Sequence, residues 1–332
     1  MTQPVRTLDV KLDRIRHGTY TPADFVIADA KDGDMSMGVA TPGFRADAQG
    51  RPTDVPRPLS DYRDGMRSMT RSGLVDIMLM SLSSAEALAG EGLFGNSPVT
   101  AAVRLNDASD IWAFRGASYR ASPAACFRTA RIDRAREVAD LGLYAVTFYN
   151  DLARDVATLE AYAAFRDEAV AARMRHFLEV FNPAFPIGTG DVALGHYVND
   201  AIARCLAGVA RADRPLFLKM AYNGPRAMEE LAAFDPGNLI VGILGGAAGT
   251  TRDTFELVAQ AERHGARIAL FGRKIYFAED SVEIVAAMRR VVEAVQTAED
   301  AVRDYHDRLG KKGVRPARPL EKDLEITEEV LR

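Results

Sequence analysis

Lys219 lies within the run Leu216-Phe217-Leu218-Lys219-Met220, an apolar stretch of strand length from which an ammonium group cannot easily reach bulk water. Burial favours a neutral amine, the form that condenses with a carbonyl to give an imine. The alternative is a buried structural ion pair with Glu179, which interrupts the apolar run 176–180, or a lysine that snorkels to the surface. Downstream, two apolar runs, 239–244 and 266–271, each end in a glycine turn, Gly245-Gly246 and Gly272-Arg273. Glycines let a backbone turn sharply and approach a ligand, and a helix opening from such a loop at about Thr251 favours anions. Backbone N–H groups and the Arg273 guanidinium are thus placed to share one phosphate, the alternative being two ordinary turns with a surface arginine.

These residues need a scaffold that brings the ends of several strands together. Apolar runs at 25–28, 75–80, 98–105, 144–148, 176–180, 215–220, 239–244 and 266–271 read as eight strands. Helical patterns alternate with them, at about 61–71, 84–92, 132–141, 155–173, 192–210, 226–234, 251–264 and 281–297. Such alternation over 332 residues predicts an α/β fold, a (β/α)8 TIM barrel, with a doubly wound open sheet as the other possibility. Barrel enzymes build their sites from the C-terminal ends of the strands. The polar residues expected there are Asp29 and Lys31, Asn106 and Asp107, Tyr149 and Asn150, Glu179 and Asn182, and Lys219. Two stretches, 35–58 and 108–128, exceed ordinary connectors and are candidate lids or binding loops.

Composition narrows the function. With 48% apolar and 27% charged residues the chain is of ordinary globular type, and a net charge of −4 argues against nucleic acid or an anionic membrane as the main partner. Cys126 and Cys205 form no CxxC pair, and the five histidines lack HExxH spacing, so no metal ligand set and no cofactor is expected. The N-terminal segment lacks the apolar core of a signal peptide and no stretch is long enough to span a bilayer, which makes the cytoplasm the expected location.

The order Asp29 on strand one, Tyr149 on four, Glu179 on five, Lys219 on six, Gly-Gly on seven and Gly-Arg on eight resembles the class I, Schiff-base aldolases of the fructose-bisphosphate and tagatose-bisphosphate type. The resemblance covers about residues 20–295 and is strongest from Glu179 onward. It implies that Lys219 forms the imine with a keto-sugar phosphate and that Gly245, Gly246, Gly272 and Arg273 cradle the phosphate. It also implies a proton-transfer or orienting role for Asp29. The tagatose-type enzymes carry a second lysine on strand four, where this chain has Thr147. Tyr149 is in a position to transfer the proton instead, as a strand-four tyrosine does in archaeal-type members.

The reading is therefore a metal-independent lyase, an aldolase cleaving or forming a ketose phosphate, with Tyr149, Glu179 or Asp29 taking the C4-hydroxyl proton. The alternatives are a transaldolase-like or acyl-transferring barrel using the same lysine, and a non-catalytic sugar-phosphate-binding protein. The expected partners are a small sugar phosphate and further copies of the chain. Residues 1–310 are expected to form one barrel domain with an N-terminal extension, whose helix at 9–18 lies across one barrel end. Residues 311–332 form a tail that is either solvated or a strap anchored by Leu320, Leu324, Ile326, Val330 and Leu331.

Overall fold

The computed structural model describes residues 4–47, 52–246 and 249–332. Eight parallel strands close into a barrel, labelled here β1 (Val26–Lys31), β2 (Ile77–Met80), β3 (Thr100–Arg104), β4 (Leu141–Thr147), β5 (Arg175–Phe181), β6 (Leu218–Met220), β7 (Gly242–Leu244) and β8 (Ile268–Phe271). Closure is made by β1 pairing in parallel with β8, from Val26 opposite Ile268 to Asp29 opposite Phe271, and this excludes the open doubly wound sheet.

Because side chains alternate along a strand, each strand feeds two cores. Val26, Ala28, Ile77, Leu79, Ala102, Leu143, Ala145, Phe177, Phe217, Ile268 and Leu270 fill the barrel interior. Their neighbours, among them Ile27, Met78, Val103, Tyr144, Leu178, Leu218, Ile243 and Ala269, face the surrounding helices. The first helix, Thr7–Arg16, buries Leu8, Leu12 and Ile15 in the interior core and closes the N-terminal end of the barrel. It is fastened there by Lys11, which donates to the Phe25 carbonyl and to Asp76, itself paired with Arg289. At this end of a barrel, such a network serves stability.

The chain after β8 departs from the expected single helix. Helix Ser281–Val292 stops short, Ala294 adopts φ 56°, and a second helix runs Ala298–Lys311. Thr297 caps it, its side chain accepting from the Asp300 N–H, and this Thr-x-x-Asp start is the signal that separates the two helices. Both pack on helix Thr251–Arg263. The tail then returns across the C-terminal face as a strap, with Leu331 buried and Leu320, Leu324 and Ile326 packed on the core, whereas Val330 is exposed.

Both long connections carry secondary structure of their own. The first carries the antiparallel pair Phe44–Ala46 and Pro52–Pro56, the second the pair Asp107–Ala108 and Cys126–Phe127. They meet where the Ser36 hydroxyl donates to the Ile111 carbonyl and the Ala113 N–H donates to the Ser36 carbonyl. Part of the 35–58 stretch, residues 48–51, lies outside the described residues.

Candidate active site

Lys219 and Glu179 stand directly opposite each other on β6 and β5. Both point inward, since their neighbours Leu178, Val180, Leu218 and Met220 belong to the outer core. The Lys219 Nζ lies 2.6 Å from Glu179 Oε1. The other carboxylate oxygen accepts from Arg104 Nη2 at 2.7 Å, and Arg104 Nε donates to Asp32 Oδ2 at 2.6 Å. A lysine, a glutamate, an arginine and an aspartate from four strand ends thus form one connected cluster, with Lys219 5%, Glu179 1% and Arg104 2% exposed. Burial alone would push the Asp32 carboxyl up, but Arg104 and then Lys219 outweigh it and hold the group below the ordinary carboxylate range. Two acids against two bases leave the cluster neutral, the condition under which buried charges persist.

Asp29 is not part of this cluster. The sequence reading ended the first strand at Ala28 and placed Asp29 at the mouth, but β1 continues to Lys31, and its inward residues are Val26, Ala28 and Ala30. Asp29 and Lys31 therefore face the helices, 2.7 Å apart, with the lysine over the Tyr276 ring. Burial drives the Asp29 carboxyl upward against the opposing pull of Lys31. The aspartate that reaches the mouth is Asp32. Arg104 was also missed, although an arginine inside the apolar run 98–105 is the same signal that singled out Lys219.

Tyr149 and Thr147 form a second group at the end of β4. Both hydroxyls donate to Asp110 Oδ2, at 2.9 and 2.6 Å, and the Tyr149 oxygen accepts from the Ala124 N–H. By register Ala145 stands opposite Glu179 and Thr147 opposite Phe181, so this group lies nearer the mouth than the lysine cluster. Burial, and then the Asp110 charge, push the Tyr149 phenol well above its ordinary value, so it keeps its proton. Asn106 grips β4 from the side, donating to the Ala145 carbonyl and accepting from its N–H, while Asp107 accepts from Thr129. Asn182 pairs with Asn223 across β5 and β6, and Asn150, at φ 55°, donates to the Gly188 carbonyl. These polar strand-end residues shape the rim.

The glycine turns occupy the neighbouring part of the mouth. Gly246 has φ 62° and open space around it, whereas a Cβ on Gly272 would come within 2.7 Å of the Ala30 carbonyl. Gly272 is thus required by the close approach of β8 to β1. Arg273, which follows it, is exposed, and partial desolvation and then the charge of Arg120 disfavour its protonated form relative to an ordinary arginine. An anion between them would relieve that repulsion.

The helix N-terminus after Gly249 is already used by the chain itself. Thr250 and Asp253 form a capping box, and the Thr251 N–H donates to Asp323 of the tail at 2.8 Å. Asp253 also accepts from Thr327, and Glu328 pairs with the buried Lys274 at 2.7 Å. The strap thus fixes the helix and the segment after β8, and occupies the Thr251 N–H at the helix end. Two open surface depressions, one along Arg128 to Asp133 with Glu168 and one beside Ile15 and Tyr20, lie away from this mouth.

No protein-family model matches the chain, and no curated protein matches it by sequence. Solved structures do. An archaeal fructose-1,6-bisphosphate aldolase, with its catalytic lysine covalently bound to the carbinolamine intermediate of the substrate, matches with a TM-score of 0.59 at 17% identity, over 86% of this chain and 99% of that one. A further structure of an archaeal fructose 1,6-bisphosphate aldolase matches with a TM-score of 0.58 at 16% identity, over the same shares. The fructose-bisphosphate aldolase from Slackia heliotrinireducens DSM 20476 matches with a TM-score of 0.62 at 13% identity, over 91% of this chain and 90% of that one. The barrel fold of this chain is the fold of class I fructose-bisphosphate aldolases.

Proposed function

We propose that the protein is a class I aldolase that cleaves or forms a ketose phosphate through an imine on Lys219. The observation that carries this reading is the placement of Lys219: an inward lysine near the C-terminal end of a barrel strand, with a carboxylate 2.6 Å from its nitrogen. The fold shared with Schiff-base-forming aldolases adds support.

In cleavage, Glu179 accepts a proton from Nζ, and the free amine adds to the C2 carbonyl. Loss of the carbinolamine oxygen as water, with Glu179 returning the proton, leaves a protonated imine. The C3–C4 electron pair then moves into the imine to give an enamine, while the C4 hydroxyl proton leaves and the aldehyde departs. Tyr149 is suited to that proton: as its oxygen takes it, its own phenolic proton passes to Asp110 along the existing hydrogen bond. Return of that proton from Asp110 through Tyr149 to C3, and hydrolysis of the imine by water, release the second product and restore Lys219, Tyr149 and Asp110. Asp32, held ionised beside Arg104, offsets the positive charge of the imine; it stands at the mouth where Asp29 was expected, but in this electrostatic role rather than the proton-transfer or orienting one. The phosphate would lie at Gly245, Gly246, Gly272 and Arg273. The protonated imine is the electron sink, so the chemistry requires no metal, and turnover should survive a strong chelator.

Incubation with dihydroxyacetone phosphate and borohydride should add one reduced adduct to the intact mass, mapped to the peptide containing Lys219. Lys219→Met should abolish trapping while the far-ultraviolet spectrum and melting temperature stay close to those of the parent. An adduct on another lysine, or none, would overturn the reading. Product analysis with and without an aldehyde acceptor distinguishes the aldolase from a transaldolase-like enzyme.

A further inference from the structure

The mechanism above leaves one feature of the lysine cluster unexplained. Arg104 uses two of its three nitrogens, Nε on Asp32 and Nη2 on Glu179, while Nη1 is buried and has no hydrogen-bond partner among the described residues. Holding Glu179 against Lys219 needs only one donor, and neutralising two carboxylates needs only the charge, so neither task accounts for Nη1. A buried donor left without an acceptor costs about 1–3 kcal/mol, and more when charged. Asp110 presents the complementary case: its Oδ2 takes Thr147 and Tyr149, while Oδ1 is buried without a partner among the described residues. Arg104 ends β3, and Asp110 follows in the connection to β4, with which β3 pairs. An unpartnered donor and an unpartnered acceptor at the ends of adjoining strands match a group that both accepts and donates, which is what an alcohol does and a methyl group does not.

We infer that Arg104 is a specificity-determining residue whose Nη1 donates to the hydroxyl on the carbon next to the imine carbon, so that the site selects hydroxymethyl ketone phosphates over their deoxy analogues. The inference rests on the aldolase reading for its placement of the imine at Lys219. Through Glu179, one carboxylate separates Nη2 from Nζ, which brings the guanidinium within reach of the substrate atoms flanking C2. The guanidinium is rigid and planar, so fixing Nε and Nη2 also fixes the direction of Nη1, and a site built to bond a hydroxyl rejects the analogue lacking it.

The test compares dihydroxyacetone phosphate with hydroxyacetone phosphate, which carries a methyl group in place of the hydroxymethyl, by calorimetric affinity and by borohydride trapping. The full-length protein should bind the hydroxylated compound about ten- to a hundredfold more tightly, the range of a hydrogen bond to a charged donor. Arg104→Lys keeps a positive charge for Asp32 and Glu179 but removes the third fork position. It should bring the two affinities to within about threefold of each other, mainly by weakening the hydroxylated compound. A parent protein that binds both equally overturns the inference whether or not the variant folds. A variant that weakens both compounds alike and keeps their ratio also overturns it, because Arg104 then only positions Glu179. Selectivity that collapses in the variant without any trapping on Lys219 supports Arg104 and removes the aldolase reading. Trapping on Lys219 with no selectivity does the reverse, and absence of binding by either compound overturns both.

Discussion

The barrel contains two buried lysine–carboxylate pairs made of the same chemistry and placed on opposite faces of the strands. Lys219 and Glu179 face inward on β6 and β5, joined to Arg104 and Asp32 at the mouth. Lys31 and Asp29 face outward on β1, sealed by helix Leu59–Ser72 and Tyr276, with the lysine 1% and the aspartate 0% exposed. Both lysines satisfy a rule that looks only for an amine in an apolar strand. What separates them is parity along the strand, because one step in register moves a side chain from the site to the helix layer. On the function proposed above the inner pair serves chemistry and the outer pair packing, and substitutions should divide along that line.

The sharpest division is between Lys219→Met and Lys31→Met. The first should remove imine formation altogether with only a modest effect on stability, since Asp32 and Glu179 retain Arg104. The second should leave an uncompensated aspartate under the helices and cost about 3–5 kcal/mol of stability, while trapping per folded molecule stays near the parent level. Urea titration followed by borohydride trapping on the same samples reads both. The double substitution Asp29→Leu with Lys31→Met should recover most of that loss, because removing both charges leaves neither unpaired. Trapping lost in Lys31→Met at full stability would reverse the assignment of the two pairs.

The same parity explains what could be read from the sequence. Alternating apolar runs and helical patterns were enough for the barrel, and Lys219, Glu179 and Tyr149 fall on the expected inner side because strand direction and spacing placed them there. Asp29 went astray through a boundary: ending β1 at Ala28 made the next residues look like a loop, whereas the pairing of Lys31 with Met80 carries the strand through them. Arg104 carries the same in-strand signal as Lys219, a charged group inside the apolar run 98–105, but its partners Asp32 and Glu179 lie 72 and 75 positions away and only the fold brings them together. The strap was legible in its apolar anchors, but its polar grip was not. Asp323 on the Thr251 N–H and Thr327 on Asp253 join residues more than 70 positions apart, and no local pattern encodes such pairs.

A second outer-face group offers a smaller effect with a defined pH window. His176 on β5 sits among Tyr162 and Phe165, its Nε2 2.9 Å from the Tyr162 hydroxyl. Burial, and then the nearby Arg166 charge, lower its pKa from 6.5 to about 4. The unfolded chain therefore binds the proton more tightly than the folded one. The stability from this site is complete above pH 6.5 and falls progressively as the pH drops toward about 4. At about 1.4 kcal/mol per unit, the loss across that window is about 3 kcal/mol. His176→Gln should flatten the parent's decline between neutral and mildly acidic pH. Urea midpoints for the two proteins measured side by side check this, and identical slopes would mean that His176 is not buried as described.

On the inner side, Arg273 gives the most limited expected change and the most direct test of the phosphate assignment. Its side chain is exposed and feels the charge of Arg120, so removing it deletes one cation while leaving another in place. The backbone of Gly272, constrained by the Ala30 carbonyl, should keep its course, because Arg273 lies outside the strand ladder. Arg273→Ala then costs a charge-assisted contact of about 1.5–3 kcal/mol, or roughly ten- to over a hundredfold in affinity for a phosphorylated ketose. An unphosphorylated ketose of the same chain should lose little, and raising the salt concentration should narrow the difference between parent and variant, as screening weakens a partly exposed contact. The Lys219 imine should still form at saturating substrate, because the substitution removes binding and leaves the reacting groups in place. Equal losses for the phosphorylated and unphosphorylated compounds would move the phosphate away from the turns after β7 and β8.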